Sequence, residues 1–120
     1  LDQAKAQVGF IPNMYANMVN APAVLSTYLH GYALFRAESG LSAAEQEVAF
    51  LAISVANECS YCLTAHSMIA DRVSGVPKDT LAEIREGRPV SDARLRALHR
   101  LATDIVVTRG HPGAEALNSF

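Results

Sequence analysis

The nearly continuous apolar run from Val48 to Ala56 is the feature that most constrains how this chain can fold. A helix that is apolar on almost every side must be buried on almost every side, so the run predicts a central helix. Ser42 and Glu45 form an S-x-x-E capping box in front of it, which places the helix at roughly 43–57. Asn57-Glu58 then predicts a short break before the next element.

The rest of the 120-residue chain carries helix signals and no strand-like alternation, so we predict a single all-α domain spanning 1–120. Pro22, in the first turn of a helix capped by Asn20, and Gly40, just past its end, are typical helix boundaries. The predicted helices are a short one at 2–8, one from about Pro22 to Ser39, one at 59–73, a short one from Pro77 to near Gly87, one at 92–109, and a last one from about Gly113.

Composition argues against several classes of function. The formal net charge is −2, tryptophan is absent and only 7% of residues are aromatic, so neither nucleic acid nor an anionic membrane is an expected partner. Two cysteines cannot form a disulfide-dense secreted scaffold, and no signal peptide is recognisable. We therefore expect a cytoplasmic protein.

The candidate site lies in the stretch EVAFLAISVANECSYCLTAH, from Glu47 to His66. If 59–73 is helical, Cys59, Cys62 and His66 share one face, because residues three, four and seven apart are neighbours there. Unsatisfied N–H groups and the helix dipole at a helix N-terminus favour a thiolate, so this is a pattern for a reactive Cys-x-x-Cys with a histidine to move protons. Glu47 could orient the imidazole if the two helices form a hairpin.

Other interpretations of these residues remain open. Zinc would need a fourth ligand besides Cys59, Cys62 and His66, from Glu47 or another histidine, and no second paired motif exists. The cysteines could also be inert core residues, and Glu47 could be a solvated acid near a helix N-terminus. Haem attachment is excluded, because it needs a histidine directly after the second cysteine, where Leu63 stands. No cofactor is therefore expected.

The remaining charged and aromatic groups have plainer explanations. His30, His99 and His111 lack partners in sequence and are assigned to the scaffold, and Tyr61 forms either a wall of the site or packing. Five arginines cluster in sequence with acids interleaved, which predicts a solvated, ion-paired face in preference to an anion site. The arginines are Arg85, Arg88, Arg94, Arg96 and Arg100, and the acids are Glu83, Glu86 and Asp92.

Glu47, Cys59-Ser-Tyr-Cys62 and His66 resemble the E-x(11)-C-x-x-C-x-x-x-H signature of the alkylhydroperoxidase AhpD-like family, in the carboxymuconolactone decarboxylase superfamily. The segment LSAAEQEVAFLAISVANECSYCLTAH is similar to the family's core along its length. The upstream segment GFIPNMYANMVNAPAVLSTYLHGYALF looks like the branch of uncharacterised peroxidase-related enzymes.

The resemblance implies an AhpD-like helical fold, with a central hairpin carrying the Cys-x-x-Cys motif, that assembles into homo-oligomers. It also implies an oxidoreductase that reduces hydroperoxides, a thiol-dependent peroxidase with antioxidant activity. Cys62 would be the attacking thiol and Cys59 the resolving one, with His66 and Glu47 as the proton relay. An external dithiol, of the thioredoxin or lipoyl type, would reduce the redox-active disulfide.

The chain departs from the family at two places. Some members carry a second histidine between the cysteines, where this chain has Tyr61, and members usually continue through further C-terminal helices beyond the position of Phe120. Two alternative functions therefore stand beside the peroxidase. One is a carboxymuconolactone-decarboxylase-like lyase acting on a small lactone or acid by proton transfer. The other is a non-catalytic oligomeric helical protein with structural or zinc-bound cysteines.

Overall fold

The computed structural model describes residues 2, 5, 6 and 9–120, and every regular element among them is helical. Seven α-helices are described: α1 (Asn13–Met18), α2 (Pro22–Glu38), α3 (Ala43–Ala56), α4 (Ser60–Ile69), α5 (Lys78–Arg85), α6 (Ala93–Val107) and α7 (Ala114–Ser119). A turn of π-helix, Ala70–Ser74, continues α4. The all-α prediction is confirmed, whereas the short helix predicted at 2–8 falls largely outside the described residues.

By its internal contacts the chain divides into two units, Leu1–Gly40 and Leu41–Phe120. In the first unit, the aromatic rings of Tyr15 and Tyr28 meet edge to face, with their centroids 6.0 Å apart. Tyr28 and Tyr32, one turn apart on α2, stack with the same centroid separation. The first unit therefore gathers its tyrosines along one side of α2.

The second unit is built around α3, as the apolar run predicts. Val48 and Leu51 are fully buried, and α3 packs against α4, the π-helical turn, α5 and α6. The buried cluster it organises also contains Ala49, Ala70, Val76, Leu81, Ile84, Val90, Leu95 and Leu98. Leu95 and Leu98 of α6 belong to this cluster, but Ile105, from the same predicted apolar stripe, is 42% exposed.

The predicted capping box forms at the start of α3. Glu45 N–H donates to Ser42 Oγ at 3.2 Å, and Ser42 N–H donates to Glu45 Oε2 at 2.8 Å. The other carboxylate oxygen of Glu45 accepts from Arg94 Nε of α6 at 2.5 Å. The capping residue Glu45 therefore also joins α3 to α6 through Arg94. The two residues lie 49 positions apart, and the sequence pattern does not predict their contact.

Two predicted helix boundaries are wrong, each for a local reason. Ala21, not Asn20, is the N-cap of α2, because the side-chain amide of Asn20 donates backwards to the carbonyl of Asn17. The helix predicted at 59–73 is α-helical only to Ile69, where it widens into the π-helical turn and stops at Gly75 with φ +68°. Hydrophobic spacing does not distinguish a π-turn from a continuing α-helix.

The arginine-rich segment is ion-paired only in part, since Arg96 donates to the backbone carbonyls of Val90 and Ser91 and not to a carboxylate. Arg88 pairs with Glu86 at 2.7 Å and Arg100 with Glu115 at 2.9 Å. Glu83 instead accepts from the backbone N–H and hydroxyl of Ser91, and Asp92 caps α6 by accepting from the N–H of Leu95. Among the described helices, none has the combination of length and apolarity required to cross a lipid bilayer.

Replacing the N-cap residue tests how much the capping box stabilises α3. Ser42→Ala removes the acceptor for Glu45 N–H, and we expect it to lower the free energy of unfolding by about 1 kcal/mol in urea denaturation. Ser42→Asn keeps a capping oxygen and should stay close to the wild type. Equal losses in the two variants would show that the side-chain acceptor does not matter.

The cap also predicts a dependence of stability on pH. The N–H of Ser42, followed by Arg94, holds the pKa of the Glu45 carboxyl below its ordinary value of 4.5. A depressed pKa stabilises the folded state above the ordinary value, and this contribution is lost as pH falls through the folded-state pKa. Urea unfolding at pH 6 and pH 3.5 should therefore show a smaller acid-induced loss in Glu45→Gln than in the wild type.

The control for that experiment is Glu38→Gln. Glu38 is exposed at the end of α2 and makes no hydrogen bond within the described part of the chain, so its variant should lose as much stability in acid as the wild type does. The same acid-induced loss in Glu45→Gln and the wild type would contradict the assigned role of Glu45.

Candidate functional site

The two cysteines are joined at the start of α4. Cys59 and Cys62 form a disulfide with a Cα–Cα distance of 5.3 Å. Cys59 is the N-cap, with φ −89° and ψ 93°, and its Sγ accepts from the N–H of Cys62 at 3.2 Å. Cys62 lies within the first turn of α4, and Cys59 lies one position before the helix begins. The cap geometry keeps both sulfurs beside the unpaired N–H groups of the helix.

A reversal of the backbone between α3 and α4 positions this pair. Asn57 ends α3, and Glu58 adopts a left-handed conformation with φ +52°. The N–H of Cys59 then donates to the carbonyl of Ser54 at 2.9 Å. This short connection folds α4 back against α3, which confirms the predicted central hairpin and leaves Glu58 exposed, as expected.

Glu47 is fully buried in α3 and contacts His66 across the hairpin. Its Oε2 lies 2.8 Å from His66 Nδ1, and the exposed fractions of the two side chains are 0% and 16%. The solvated interpretation of Glu47 is therefore wrong, and the hairpin brings together the two residues that the motif pairs. The tertiary contact could not be read from the sequence, because it depends on how closely α4 returns along α3.

This hydrogen bond determines which nitrogen of His66 is available for chemistry. In the tautomer that carries its proton on Nδ1, the imidazole donates to Glu47, and Nε2 is left to exchange a proton with another group. Side chains on a helix lean towards its N-terminus, so the imidazole leans towards the preceding turn, which contains Cys62. The arrangement can thus deliver a proton on the same helix face as the cysteine.

Phe50 packs against the face of the same imidazole, a contact that the sequence did not lead us to predict. Its ring stacks on that of His66 with the centroids 4.6 Å apart and the planes 9° from parallel. Phe50 follows Glu47 by three residues on α3, so one helix face supplies both the carboxylate and the aromatic ring. The three-residue spacing between Glu47 and Phe50 could have suggested this contact. It does so only when His66 is known to face these two residues.

The sulfurs lie at a partly accessible surface. Cys59 and Cys62 are half-buried, and Tyr61 between them is 49% exposed, so Tyr61 is a candidate wall of the site. Within the part of the chain that the structure describes, no three His, Cys, Asp or Glu side chains are grouped as metal ligands would be. Of the histidines assigned to the scaffold, His99 lies in α6, where burial lowers its pKa.

Comparison with known proteins agrees with the motif. Residues 22–104 match the family model described as the carboxymuconolactone decarboxylase family, a match over more than half of the chain that includes Glu47, Cys59, Cys62 and His66. The superfamily predicted from the signature is therefore confirmed, and the all-helical structure is consistent with an AhpD-like fold. The chain matches none of the curated proteins with which it was compared.

A double-mutant cycle measures the contact across the hairpin. We expect Glu47→Gln and His66→Gln each to destabilise the protein, because each leaves a buried polar partner poorly satisfied. The coupling free energy from the two single variants and the double variant should be about 1–3 kcal/mol by urea denaturation. The matched control replaces Gln46, a buried neighbour on α3 whose side chain donates to the carbonyl of Leu41. Gln46→Ala combined with His66→Gln should give additive losses, and coupling of the same size there would contradict a specific Glu47–His66 contact.

Proposed function

The chain belongs to the carboxymuconolactone decarboxylase family, and on that premise we propose that it is a thiol-dependent peroxidase that reduces hydroperoxides through Cys59 and Cys62. The observation that carries the proposal is the buried Glu47–His66 hydrogen bond, one helical turn from a cysteine that is within bonding distance of its neighbour. Each part of the arrangement has a role in the proposed reaction, and an external dithiol completes the cycle.

The buried pair supports a functional explanation over a structural one. Placing a carboxylate and an imidazole in an interior costs desolvation free energy, and apolar side chains of similar volume commonly stabilise a fold as well or better. Glu47 and His66 lie beside an apolar core that includes Val48 and Leu51, so the polar pair is not required by its surroundings. Titratable groups held in such settings cluster at sites of proton transfer.

The first step is the attack of Cys62 on the peroxide. The thiolate of Cys62 attacks the terminal oxygen of the hydroperoxide, so a sulfur–oxygen bond forms and the oxygen–oxygen bond breaks. The leaving alkoxide takes a proton from Nε2 of His66 and departs as an alcohol. Glu47, bonded to Nδ1, stabilises the imidazolium form that donates this proton. Cys62 is left as a sulfenic acid.

The second step closes the disulfide. The thiolate of Cys59 attacks the sulfur of the Cys62 sulfenic acid, the sulfur–sulfur bond forms, and hydroxide leaves and is protonated to water. The two thiols have then supplied the two electrons that reduced the peroxide. An external dithiol restores them by thiol–disulfide exchange, through a mixed disulfide with one of the two sulfurs. The position of Cys59, half-buried at the N-cap with its sulfur against the first turn of α4, supports its role in the second attack.

A lyase of the kind named in the family description is the second candidate. The Glu47–His66 pair is an acid–base couple that could move a proton on a small lactone or acid without the cysteines. This candidate differs from the first in one respect that can be tested, because replacing both cysteines would leave its activity intact. The cysteine pair itself favours the peroxidase.

Rapid mixing of the fully reduced protein with an organic hydroperoxide tests the proposal. We expect the wild type to lose two thiols quickly, Cys59→Ser to stop at a sulfenic acid, and Cys62→Ser to be inert. A sulfenic-acid-specific reagent and a free-thiol assay measure these outcomes. His66→Gln should slow thiol loss by about 100-fold or more, the usual contribution of a positioned general acid.

The control variant is His111→Gln, an exposed histidine after α6 that should react as the wild type does. Thiol loss no faster than that of free cysteine would refute a peroxidase. Turnover of a lactone or small acid by the Cys59→Ser/Cys62→Ser double variant would then support the lyase.

A further inference from the structure

A second candidate site lies on the other side of α4. A cavity of about 400 Å³ opens between α4, the π-helical turn and α5, within the range of small-molecule sites. Thr64 and Ser67 of α4 contribute to its wall, and they follow Cys62 by two and five residues. At 100° per residue, Thr64 and Ser67 lie about 160° and about 140° around the helix from Cys62, and Ser67 lies about 100° from His66. The cavity is therefore separate from the site that contains the disulfide.

Two arginines without partners lie at this cavity. Arg72 belongs to the π-helical turn and Arg85 to the last turn of α5, and both are exposed. Neither makes an ion pair or a hydrogen bond with any of the described residues, although Arg88, Arg94 and Arg100 nearby in sequence are all paired. A guanidinium always carries its charge and presents several N–H donors in a plane, which fits a carboxylate.

The cavity wall also contains an unsatisfied hydroxyl. Ser67 is only 8% exposed, and its Oγ has no hydrogen-bond partner within the described part of the chain. Leaving a buried hydroxyl unpaired costs free energy, but this oxygen is covered by protein atoms and does not open into the cavity. The polar contacts that the cavity offers a ligand therefore come from the two arginines.

The backbone changes conformation at the end of α4, next to the cavity. The helix widens from α to π at Ala70–Ser74, immediately after the α4 residues that line the cavity. This π-turn ends the helix at Gly75, which adopts the left-handed conformation, and π-turns of this kind occur at helix C-termini. Here the π-turn contains Arg72, so it sets the position from which that side chain reaches the cavity.

The composition of the wall restricts the ligand. Two arginines against one carboxylate, that of Asp71, leave a single net positive charge, which suits a monoanion better than a dianion. The apolar part of the wall is formed by Met68 and by Leu81 of α5. A small molecule with one charged end and a short apolar tail matches both features.

The geometry points to a binding site for a small organic monocarboxylate. Its carboxylate is held by Arg72 and Arg85, and its apolar tail lies against Met68 and Leu81. The site needs neither the thiols nor the Glu47–His66 pair, so it stands or falls independently of the proposed peroxidase.

Sodium hexanoate is a suitable probe, with binding measured by NMR chemical-shift titration of the disulfide form at constant ionic strength. We expect saturable shifts at residues around the cavity. Arg72→Gln and Arg85→Gln should each weaken binding by about tenfold or more, as expected for the loss of a charge-assisted hydrogen bond. Ser67→Ala should bind hexanoate as the wild type does, because protein atoms cover the Ser67 oxygen.

Three controls make the result specific. Arg109→Gln removes an exposed arginine from the turn after α6, away from the cavity, and should bind hexanoate as the wild type does. Hexan-1-ol carries the tail without the charge, and inorganic phosphate carries charge without a tail, so both should bind at least tenfold more weakly. Hexanoate binding that is unaffected by Arg72→Gln and Arg85→Gln, or that is matched by phosphate, would overturn the assignment.

Discussion

The hydrogen bond between Glu47 and His66 is the interaction on which the arrangement of the candidate site depends. A carboxylate with no exposed surface requires a partner, because an unpaired buried charge is far more costly than a buried polar pair. Its partner comes from the next helix, 19 residues later in the chain, so the bond can form only when α4 lies back along α3. The hydrogen bond that Glu47 needs therefore also constrains the angle between α3 and α4.

The turn between the two helices serves the same arrangement. Glu58 adopts a left-handed backbone, and Cys59 caps α4 with its sulfur instead of the more usual oxygen. A sulfur used in this way is held against the first turn, where Cys62 follows. Cys59, which begins α4, is thus also one of the two cysteines of the candidate site. The same side chain constrains both the local fold and the site.

The surroundings of α4 show how one helix can serve two purposes. One face presents Cys62 and His66 towards the disulfide site, with Phe50 of α3 stacked on the imidazole. Another face contributes Ser67 to a cavity whose arginines come from the π-helical turn and α5. The two faces carry different chemical groups. One has acid–base and thiol groups and the other has cationic donors, so we expect the two sites to bind different ligands.

Much of the fold was readable because it depends on local rules. The apolar run from Val48 to Ala56, the capping box and the break at Gly40 each act over a few residues, and the helices they predict are present. The wrong boundaries, at Asn20 and at the end of α4, arose where a side chain or the backbone hydrogen bonds could follow more than one local pattern. Spacing alone could not rank those choices.

By itself, the sequence determined the helical class, the central position of α3 and the set of residues, Glu47, Cys59, Cys62 and His66, that form the candidate site. Only the tertiary structure decided that Glu47 is buried and bonded to His66, that Phe50 stacks on that imidazole, and that the side chains of Arg72 and Arg85 lie beside a cavity with no partner among the described residues. The reason is physical. Helix formation follows from interactions three and four residues apart, whereas burial and pairing across helices depend on packing angles to which the whole core contributes.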